Sequence, residues 1–375
     1  MPHYKFDQIA FNITDKKMPE PGDEKMYIGL EHLDSGSLKI TRWGSEVELT
    51  GQKLVMRKGD VLFGRRNTYL RRAAIAPHDG IFSAHGMIFR PKTQVIDPEY
   101  FPFFISSNYF MDAAIRISVG SLSPTVNWKT LKELEFDLPS LEEQRKNAAL
   151  LKSINETKEA YQELLIQTDN LVKSQFIEMF GKDFETIKLC DLATFRRGSF
   201  PQPYGKSEWY DGEGAMPFVQ VADVGENMRL VEDTKQKISV LAQPKSIYVP
   251  TGSVVVTLQG SIGRVAITQY DCYMDRTLAV FESFKTEVNK LCFAYQLKQK
   301  FAKEAEVARG VTIKTITKEE FSNFEIAKIP IALQNRFAEF VQQNDKSKFE
   351  LKEAIKSCDA LMKAILFTNL EEKEG

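Results

Sequence analysis

The eight residues from Arg65 to Arg72 contain four arginines together with an asparagine and a tyrosine. An arginine side chain can pair bidentately with guanine or clamp a phosphate, and asparagine can pair in the same way with adenine. Four like charges so close together repel one another, so a polyanionic partner is a natural reason for keeping them. The segment predicts DNA contacts by Arg65, Arg66, Asn67, Tyr69, Arg71 and Arg72. The alternative is a solvated strand–turn–strand edge whose arginines pair with carboxylates elsewhere.

Two other segments offer polar groups of the same kind. One is a basic and polar loop with flexible glycine and proline, and its candidate DNA contacts are Arg196, Arg197, Gln202, Tyr204 and Lys206. The other contains a short glycine pair, and its candidates are Gln259, Ser261 and Arg264. All these side chains can reach bases or phosphates. For the first segment, an ordinary surface loop is the alternative.

Groups that would support catalysis are missing from the sequence. The chain has no Pro-Pro, so it lacks the Asp/Asn-Pro-Pro-aromatic loop of an amino-methyltransferase, and it has no Walker A motif. The four histidines lack metal-ligand spacing, and the four cysteines lie far apart (Cys190, Cys272, Cys292 and Cys358). We therefore expect no enzyme activity, no bound metal or cofactor, and reduced, mostly buried thiols.

The sequence repeats itself with an offset of roughly 190 positions. Arg72-Ala73-Ala74-Ile75 matches Arg264-Val265-Ala266-Ile267 within one residue of drift, and Gly120 matches Gly310. Further matched pairs, in the same order, are 27–30 with 218–221, 59–62 with 252–255, 87–89 with 279–281, and 138–139 with 329–330. The arginine segment and the segment around Gly260 occupy equivalent places in the two repeats.

A long segment free of proline and glycine follows each repeat, at 140–180 and 331–370. Each predicts one helix, and 40 helical residues span about 60 Å. The predicted packing residues recur at three- and four-residue steps and are Leu151, Ile154, Tyr161, Leu165 and Val172 in the first helix, with Phe337, Phe340, Asn344, Leu351, Ile355 and Met362 in the second. Lys158 and Thr168 interrupt the first stripe, and a buried Asn344 would fix the register of the pair. The alternatives are two unrelated amphipathic helices and a solvent-facing Asn344.

The predicted fold is α+β, with two pseudo-symmetric domains of mixed helix and strand and two long helices that pack their apolar stripes against each other. The predicted boundaries are 1–139 and 184–330 for the domains, 140–183 and 331–370 for the helices, and 371–375 for a tail. The 50 basic and 51 acidic residues balance, which argues mildly against a nucleic-acid-binding protein unless its basic groups are concentrated locally. No apolar run approaches the length of a membrane span, so we expect a cytoplasmic location.

Over essentially its whole length the sequence resembles the specificity subunits of type I restriction-modification systems. The matching segments are 27–31, 58–64, 79–83, 138–145 and 173–181. Two departures are that residues 331–334 lack the Ser140-to-Gln144 pattern and that the segment around Gly260 lacks the arginine cluster. Carrying individual contacts from one repeat to the other is therefore unsafe.

The resemblance implies two target-recognition domains that each read one half of a split, asymmetric site in double-stranded DNA. It implies that the two long helices pack as an antiparallel coiled coil and act as a ruler for the unread gap. It also implies two methyltransferase subunits that methylate adenine N6 with S-adenosylmethionine, and restriction subunits that use ATP and magnesium. One alternative is a duplicated coiled-coil interaction scaffold without DNA specificity, which gives no reason for the arginine segment. Another is a catalytic restriction enzyme with a fused recognition part, against which the missing catalytic motifs weigh.

Overall fold

The computed structural model describes residues 2–181, 184–225, 227–307 and 315–371. The chain divides into two compact units, one formed by Met1–Leu165 with Glu350–Gly375 and the other by Ile166–Phe349. We call these unit 1 and unit 2. The divisions fall within the two long helices, whereas the sequence placed the domain boundaries at the ends of those helices. Each unit therefore contains a globular part and a segment of both long helices.

The helices of the described residues are α1 (Phe6–Ile9), α2 (Phe101–Ser106), α3 (Asn108–Arg116), α4 (Trp128–Leu131), α5 (Leu141–Phe180), α6 (Leu189–Leu192), α7 (Lys290–Val307), α8 (Lys318–Ser322) and α9 (Ile331–Glu371). The strands are β1 (His3–Lys5), β2 (Ala10–Ile13), β3 (Lys16–Lys17), β4 (Tyr27–Ile28), β5 (Lys53–Met56), β6 (Val61–Phe63), β7 (Ala73–Ile75), β8 (Gly80–Phe82), β9 (Met87–Pro91), β10 (Glu135–Asp137), β11 (Thr186–Lys188), β12 (Ala193–Arg197), β13 (Met216–Val219), β14 (Gln236–Ile238), β15 (Ile247–Val249), β16 (Val254–Thr257), β17 (Val265–Ile267), β18 (Cys272–Met274), β19 (Leu278–Phe284) and β20 (Glu325–Ala327). The described residues thus combine helices with many short strands, as the sequence predicted.

The two units are built from the same sheets. Unit 1 has the strand orders β2-β9-β6-β7 and β3-β5-β8-β4, with β1 paired to β10. Unit 2 has the orders β12-β19-β16-β17 and β14-β13-β18-β15, with β11 paired to β20. A parallel pair, β4 with β8 and β13 with β18, recurs in the second sheet of each unit. The predicted pseudo-symmetry is confirmed at the level of strand pairing.

The units differ at the edge of that second sheet. In unit 1 the fourth strand, β3, pairs with β5, and in unit 2 the fourth strand, β14, pairs with β13. Since β5 corresponds to β15 and β4 to β13, the additional strand extends opposite edges of equivalent sheets. The two units therefore share the apolar strands of these sheets and differ in the strand that is added at the edge.

Phenylalanine rings pack against one another in the main core of each unit. In unit 1 the ring of Phe6 lies 5.2 Å from that of Phe89 and 5.0 Å from that of Phe110. In unit 2 the ring of Phe281 lies 4.8 Å from that of Phe293. Complete burial of such a side chain contributes about 1.5–3 kcal/mol. These cores hold the strands whose connecting loops are described below.

A buried glutamine sits at the fourth position of both long helices. Gln144 Oε1 accepts a hydrogen bond from Asp97 N (2.7 Å), and Gln334 Oε1 accepts one from Asn289 N (2.9 Å). Each amide nitrogen donates to a backbone carbonyl just before its helix, at 2.9 and 2.7 Å. The start of α9, a poorer match in sequence, is therefore anchored in the same way as the start of α5.

The long helices pack antiparallel, and in unit 1 the contact includes an ion pair. Lys158 Nζ on α5 lies 2.7 Å from Asp359 Oδ1 on α9 and also donates to Gly36 O at 3.1 Å. The lysine is buried, and nearby Leu151 and Leu366 pack in the core of unit 1. The sequence pattern had marked Lys158 only as an interruption of an apolar stripe.

Unit 2 contains the reciprocal ion pair. Lys348 Nζ on α9 lies 2.9 Å from Asp169 Oδ1 on α5. Lys348 and Asp359 each lie 190 positions after Lys158 and Asp169 (348 minus 158, and 359 minus 169). The repeat thus places a lysine and an aspartate on each helix. The lysine of each helix forms an ion pair with the aspartate of the other helix.

All predicted packing residues of the helices are buried or half-buried. Leu151, Val172 and Phe337 are buried, and the ring of Phe337 lies 5.4 Å from those of Phe176 and Phe180. The half-buried ones are Ile154, Tyr161, Leu165, Phe340, Asn344, Leu351, Ile355 and Met362.

The amide of Asn344 donates to Phe340 O of its own helix at 2.8 Å. The ion pairs described above that link the two helices come from the lysines, whose long stems reach the opposite helix. A role for Asn344 in fixing the register stays a prediction.

We expect Lys158→Glu to destabilise the full chain by about 1–3 kcal/mol, because it removes the cation from a buried position and places a carboxylate there, facing the half-exposed Asp359. The second substitution Asp359→Lys should restore part of the loss, and urea unfolding of the four variants of the cycle measures the coupling. Lys152→Glu, on the same helix but at an exposed ion pair with Glu99, is the matched control. An equal effect of Lys158→Glu and Lys152→Glu would contradict the assignment.

Candidate nucleic-acid interface

The arginine segment forms the loop between β6 and β7. Asn67 and Arg71 adopt left-handed backbone conformations, with φ of 54° and 49°. In unit 2 the loop between β16 and β17 has Gly260 and Gly263 at the corresponding turns, with φ of 76° and 82°. Left-handed φ costs little for glycine and is tolerated by asparagine, but it is unusual for arginine. We call these two connections the 64–72 loop and the 258–264 loop.

A second loop, 117–125, lies against the 64–72 loop. Asn67 N donates to Pro124 O (2.8 Å), and Val126 N donates to Arg65 O (3.0 Å). In unit 2 the equivalent contact runs from Ile316 N to Leu258 O (2.9 Å). The residues that would correspond to most of the 117–125 loop there, 308–314, lie outside the described residues.

The bridges between these loops show which side chains correspond. The backbone of Arg66 forms an isolated antiparallel β-bridge with that of Thr125 in unit 1, and Gln259 forms the same kind of bridge with Thr315 in unit 2. Arg66 and Gln259 are both exposed. The same backbone position therefore presents an arginine in one unit and a glutamine in the other.

Arg72 and Arg264 hold the polypeptide together. Arg72 Nη1 donates to Leu30 O (2.9 Å), and Arg264 Nη1 donates to Val224 O (3.2 Å), so each ties its loop to an equivalent turn. Burial lowers the pKa of the Arg72 guanidinium, which still remains a cation at neutral pH. The sequence grouped both arginines with the DNA contacts, because residue type alone does not show that their donors are used on backbone carbonyls. A DNA contact by either one stays a prediction.

The other residues of the 64–72 loop differ in how far they are already engaged. Arg71 forms an ion pair with Asp112 and donates to Asn108 Oδ1 at 3.2 Å. The Tyr69 side chain is 55% exposed. Arg66 Nη2 lies 3.4 Å from Ser123 Oγ, which is a long and weak contact. Arg66 and Tyr69 are thus the most accessible of the predicted contacts in this loop.

Buried polar atoms without a hydrogen-bond partner are concentrated in this loop. Within the described residues there are seven such side-chain atoms, and three of them are Arg65 Nε, Asn67 Oδ1 and Arg72 Nε. Buried polar groups in folded proteins are normally hydrogen-bonded. All three atoms are buried in the loop itself, so they characterise its packing and are not groups that a ligand on the surface could reach.

Two predicted contacts of unit 2 lie on a strand instead of in a loop. Arg196 and Arg197 end β12, and Arg196 Nε forms an ion pair with Glu282 at 2.7 Å. Arg197 donates to Ile316 O, so it braces the base of the 258–264 loop. The prediction of a basic loop at these two positions is wrong, because alternate residues of this stretch (Ala193 and Phe195) are core residues of a strand.

The loop that follows β12 contains the remaining candidates. Tyr204 donates to Asp275, and burial together with this carboxylate raises the pKa of the Tyr204 hydroxyl. Gln202 and Lys206 are exposed, and Lys206 Nζ lies 3.2 Å from a carboxylate oxygen of Glu208. Gln202 and Lys206 are therefore accessible, whereas Tyr204 is used to hold the loop.

The turn at 220–221 connects this loop with the 258–264 loop. Gln220 Nε2 lies 3.4 Å from Tyr204 Oη, and the Val221 side chain lies 3.6 Å from the position that a Cβ on Gly260 would take. The two polar segments that the sequence singled out in unit 2 thus lie on either side of one turn. Ser261, like Gln259, is exposed.

Sequence reasoning missed two exposed cations at this place. Lys245 Nζ lies 4.5 Å from the centre of the Trp209 ring, and the Arg276 guanidinium lies 5.7 Å from that of Tyr204. Both come from distant parts of the chain and stand in no basic cluster, so no local pattern could have found them.

Within the described ranges, no helix has the length and apolar character to cross a membrane. The same residues contain no group of three or more His, Cys, Asp or Glu side chains placed to hold a metal ion. Of the four free cysteines, Cys272, Cys292 and Cys358 are buried, and Cys190 is exposed.

We expect Arg72→Ala to lower the free energy of unfolding by about 1–2 kcal/mol, because the Leu30 and Arg66 carbonyls lose their donor. Arg66→Ala should change it by less than about 0.5 kcal/mol, since its side chain is exposed. Denaturant unfolding of the two variants makes the comparison. An Arg72→Ala variant as stable as Arg66→Ala would show that the intramolecular role is incorrect.

Comparison with known proteins supports the duplicated arrangement. A family model described as "Type I restriction modification DNA specificity domain" matches residues 11–167 and again residues 181–357. The putative specificity subunit of the type I restriction enzyme MjaX of Methanocaldococcus jannaschii is 24% identical over 353 residues, covering 84% of this chain and 79% of that protein.

Solved structures show the same fold. One is a chain from a study of complex assembly and conformational transition of the type I restriction-modification system, with a TM-score of 0.61, 21% identity, and coverage of 99% of this chain and 97% of that one. Another is the S subunit of a type I restriction-modification system from M. genitalium, with a TM-score of 0.58, 14% identity, and coverage of 99% and 96%. With two copies of the specificity domain covering most of its length, this chain belongs to the family of type I restriction-modification specificity subunits.

Proposed function

We propose that this chain reads a split, asymmetric sequence in double-stranded DNA, with one half-site read by each unit, and that it catalyses no reaction itself. The observation that carries the proposal is the pair Arg66 and Gln259, which occupy equivalent positions on equivalent loops. A single scaffold used twice with different side chains at the exposed positions would bind two different half-sites.

The chemistry of these side chains suits different bases. Arginine pairs best with the O6 and N7 atoms of guanine, and glutamine with the N6 and N7 atoms of adenine, each pair giving about 1–3 kcal/mol of discrimination. Arg65 and Lys206 would add contacts to phosphates, which fix the position of the protein on DNA without reading sequence. The near-neutral net charge is compatible with this arrangement, because basic groups are needed only along the DNA.

The antiparallel helices would set the distance between the half-sites. A helix rises about 1.5 Å per residue and resists bending over this length. The ion pairs of Lys158 and Lys348 with aspartates of the opposite helix oppose sliding of one helix along the other. A pair fixed in this way would give an unread gap of constant length.

The chemistry of modification and cleavage would then belong to partner subunits. Two methyltransferase subunits would bind S-adenosylmethionine and methylate adenine N6, and restriction subunits would use ATP and magnesium. The complex would act in the cytoplasm, where it meets DNA. The alternative of an interaction scaffold without DNA specificity gives no reason for the arginine-rich 64–72 loop with its exposed Arg66 and Tyr69.

Methylation mapping tests the proposal in a host strain that lacks DNA methylation and is given this chain with its cognate methyltransferase subunit. We expect N6-methyladenine in one split motif with a constant gap. Arg66→Gln should relax or change one half of the motif, and Gln259→Arg the other half, because the two side chains serve different units.

Arg57→Gln is the matched control, since Arg57 is exposed in the turn that precedes β6, at the opposite end of this strand from the 64–72 loop. Changes in both halves from a single substitution would contradict the assignment of one unit to each half-site. Subunits that assemble without producing any methylated motif would support the scaffold instead.

A further inference from the structure

The tip of the 117–125 loop exposes two large apolar side chains. Leu122 is 94% exposed and Val119 is 72% exposed. A single exposed leucine is ordinary on a protein surface. These two, however, lie on the loop that packs against the 64–72 loop, beside its accessible arginine.

The backbone of this tip is held in place from several sides. Val119 and Thr125 exchange two backbone hydrogen bonds, at 3.1 and 3.0 Å, and Thr125 Oγ1 donates to Ser123 O at 2.9 Å. Gly120 has a φ of 122°, which other residues rarely adopt. The loop is therefore braced in a shape that keeps Leu122 away from the core.

The surroundings of Leu122 are polar and cationic. It stands between Ser121 and Ser123, and the guanidinium of Arg66 lies 3.4 Å from the Ser123 hydroxyl. A partner complementary to this surface presents an anionic or hydrogen-bond-accepting group next to an apolar slot. Duplex DNA does so, because its phosphates lie outside its stacked bases.

We propose that Leu122 inserts between base pairs of the half-site that unit 1 binds, next to the base edge that Arg66 reads. Apolar wedges of this kind unstack a base step at a cost of a few kcal/mol, which the added contacts offset. This inference rests on the proposed function and adds a residue that contributes to recognition without hydrogen bonds. At the equivalent sequence position stands Thr312, which lies outside the described residues.

The test uses the chain assembled with its methyltransferase subunits and a duplex that carries the mapped motif. Successive bases of the half-site are replaced by 2-aminopurine, whose fluorescence rises when it is unstacked. We expect the wild-type complex to raise the fluorescence at one step. Leu122→Ala should abolish that rise and weaken specific binding by about tenfold, whereas Leu122→Phe should retain both.

Salt dependence separates the wedge from a charge contact. Leu122→Ala should leave the slope of log K against log salt unchanged, because no phosphate contact is lost, and Arg65→Ala, at the proposed phosphate contact, should reduce the slope by about 1. Val47→Ala, at a 74% exposed position elsewhere in unit 1, is the matched control and should behave as the wild type.

Unchanged affinity of Leu122→Ala would overturn the inference, as would weaker binding without any unstacked base, which would indicate a contact with a thymine methyl group. Loss of assembly with the methyltransferase subunits would overturn it in favour of a protein contact. If the wild-type complex showed no sequence-specific binding, the proposed function would fail and the inference with it. Specific wild-type binding that Leu122→Ala does not alter would overturn the inference alone.

Discussion

Two ion pairs between the long helices constrain how α5 and α9 pair within each unit. In unit 1, Lys158 of α5 reaches Asp359 of α9, and in unit 2, Lys348 of α9 reaches Asp169 of α5. A buried lysine with a fixed partner has few alternatives, because sliding one helix by a residue would leave the charge without its carboxylate. Lys158 also binds the Gly36 carbonyl, so the helix pair is tied to the globular part of unit 1.

Each globular part supplies a stiff support for a short loop. The strands on either side of the 64–72 and 258–264 loops are buried, and an arginine from the end of each loop is bonded to a neighbouring turn. The backbone of the loop is therefore fixed, while the side chains at its exposed positions are free to vary. Specificity can change by substitution of a few residues such as Arg66 and Gln259 without any change of fold.

The basic residues serve two purposes that sequence alone does not separate. Arg72, Arg197 and Arg264 donate to backbone carbonyls and hold loops in position. Arg66 and Lys206 are exposed and available to an anionic partner. A count of charges therefore overstates the number of groups left for DNA, and a nearly neutral chain can still present a local basic surface.

The sequence by itself determined the duplication, the two long helices, the mixed helix and strand content and the family. These follow from signals that are local or repeated, such as the proline before each helix, the three- and four-residue spacing from Leu151 to Val172, and the matched segments of the two repeats. Such patterns survive in sequence because each is set by neighbours along the chain or by its own copy.

Only the tertiary structure decided which polar residues are used inside the protein. In the sequence Lys158 only interrupts an apolar stripe, whereas in the structure it forms an ion pair with Asp359. The sequence predicts a loop at Arg196, whereas in the structure this residue lies on β12, which pairs with β19. The exposed Leu122 stood in no motif at all. These assignments depend on contacts between residues far apart in the chain, which cannot be predicted from the pattern of neighbouring residues.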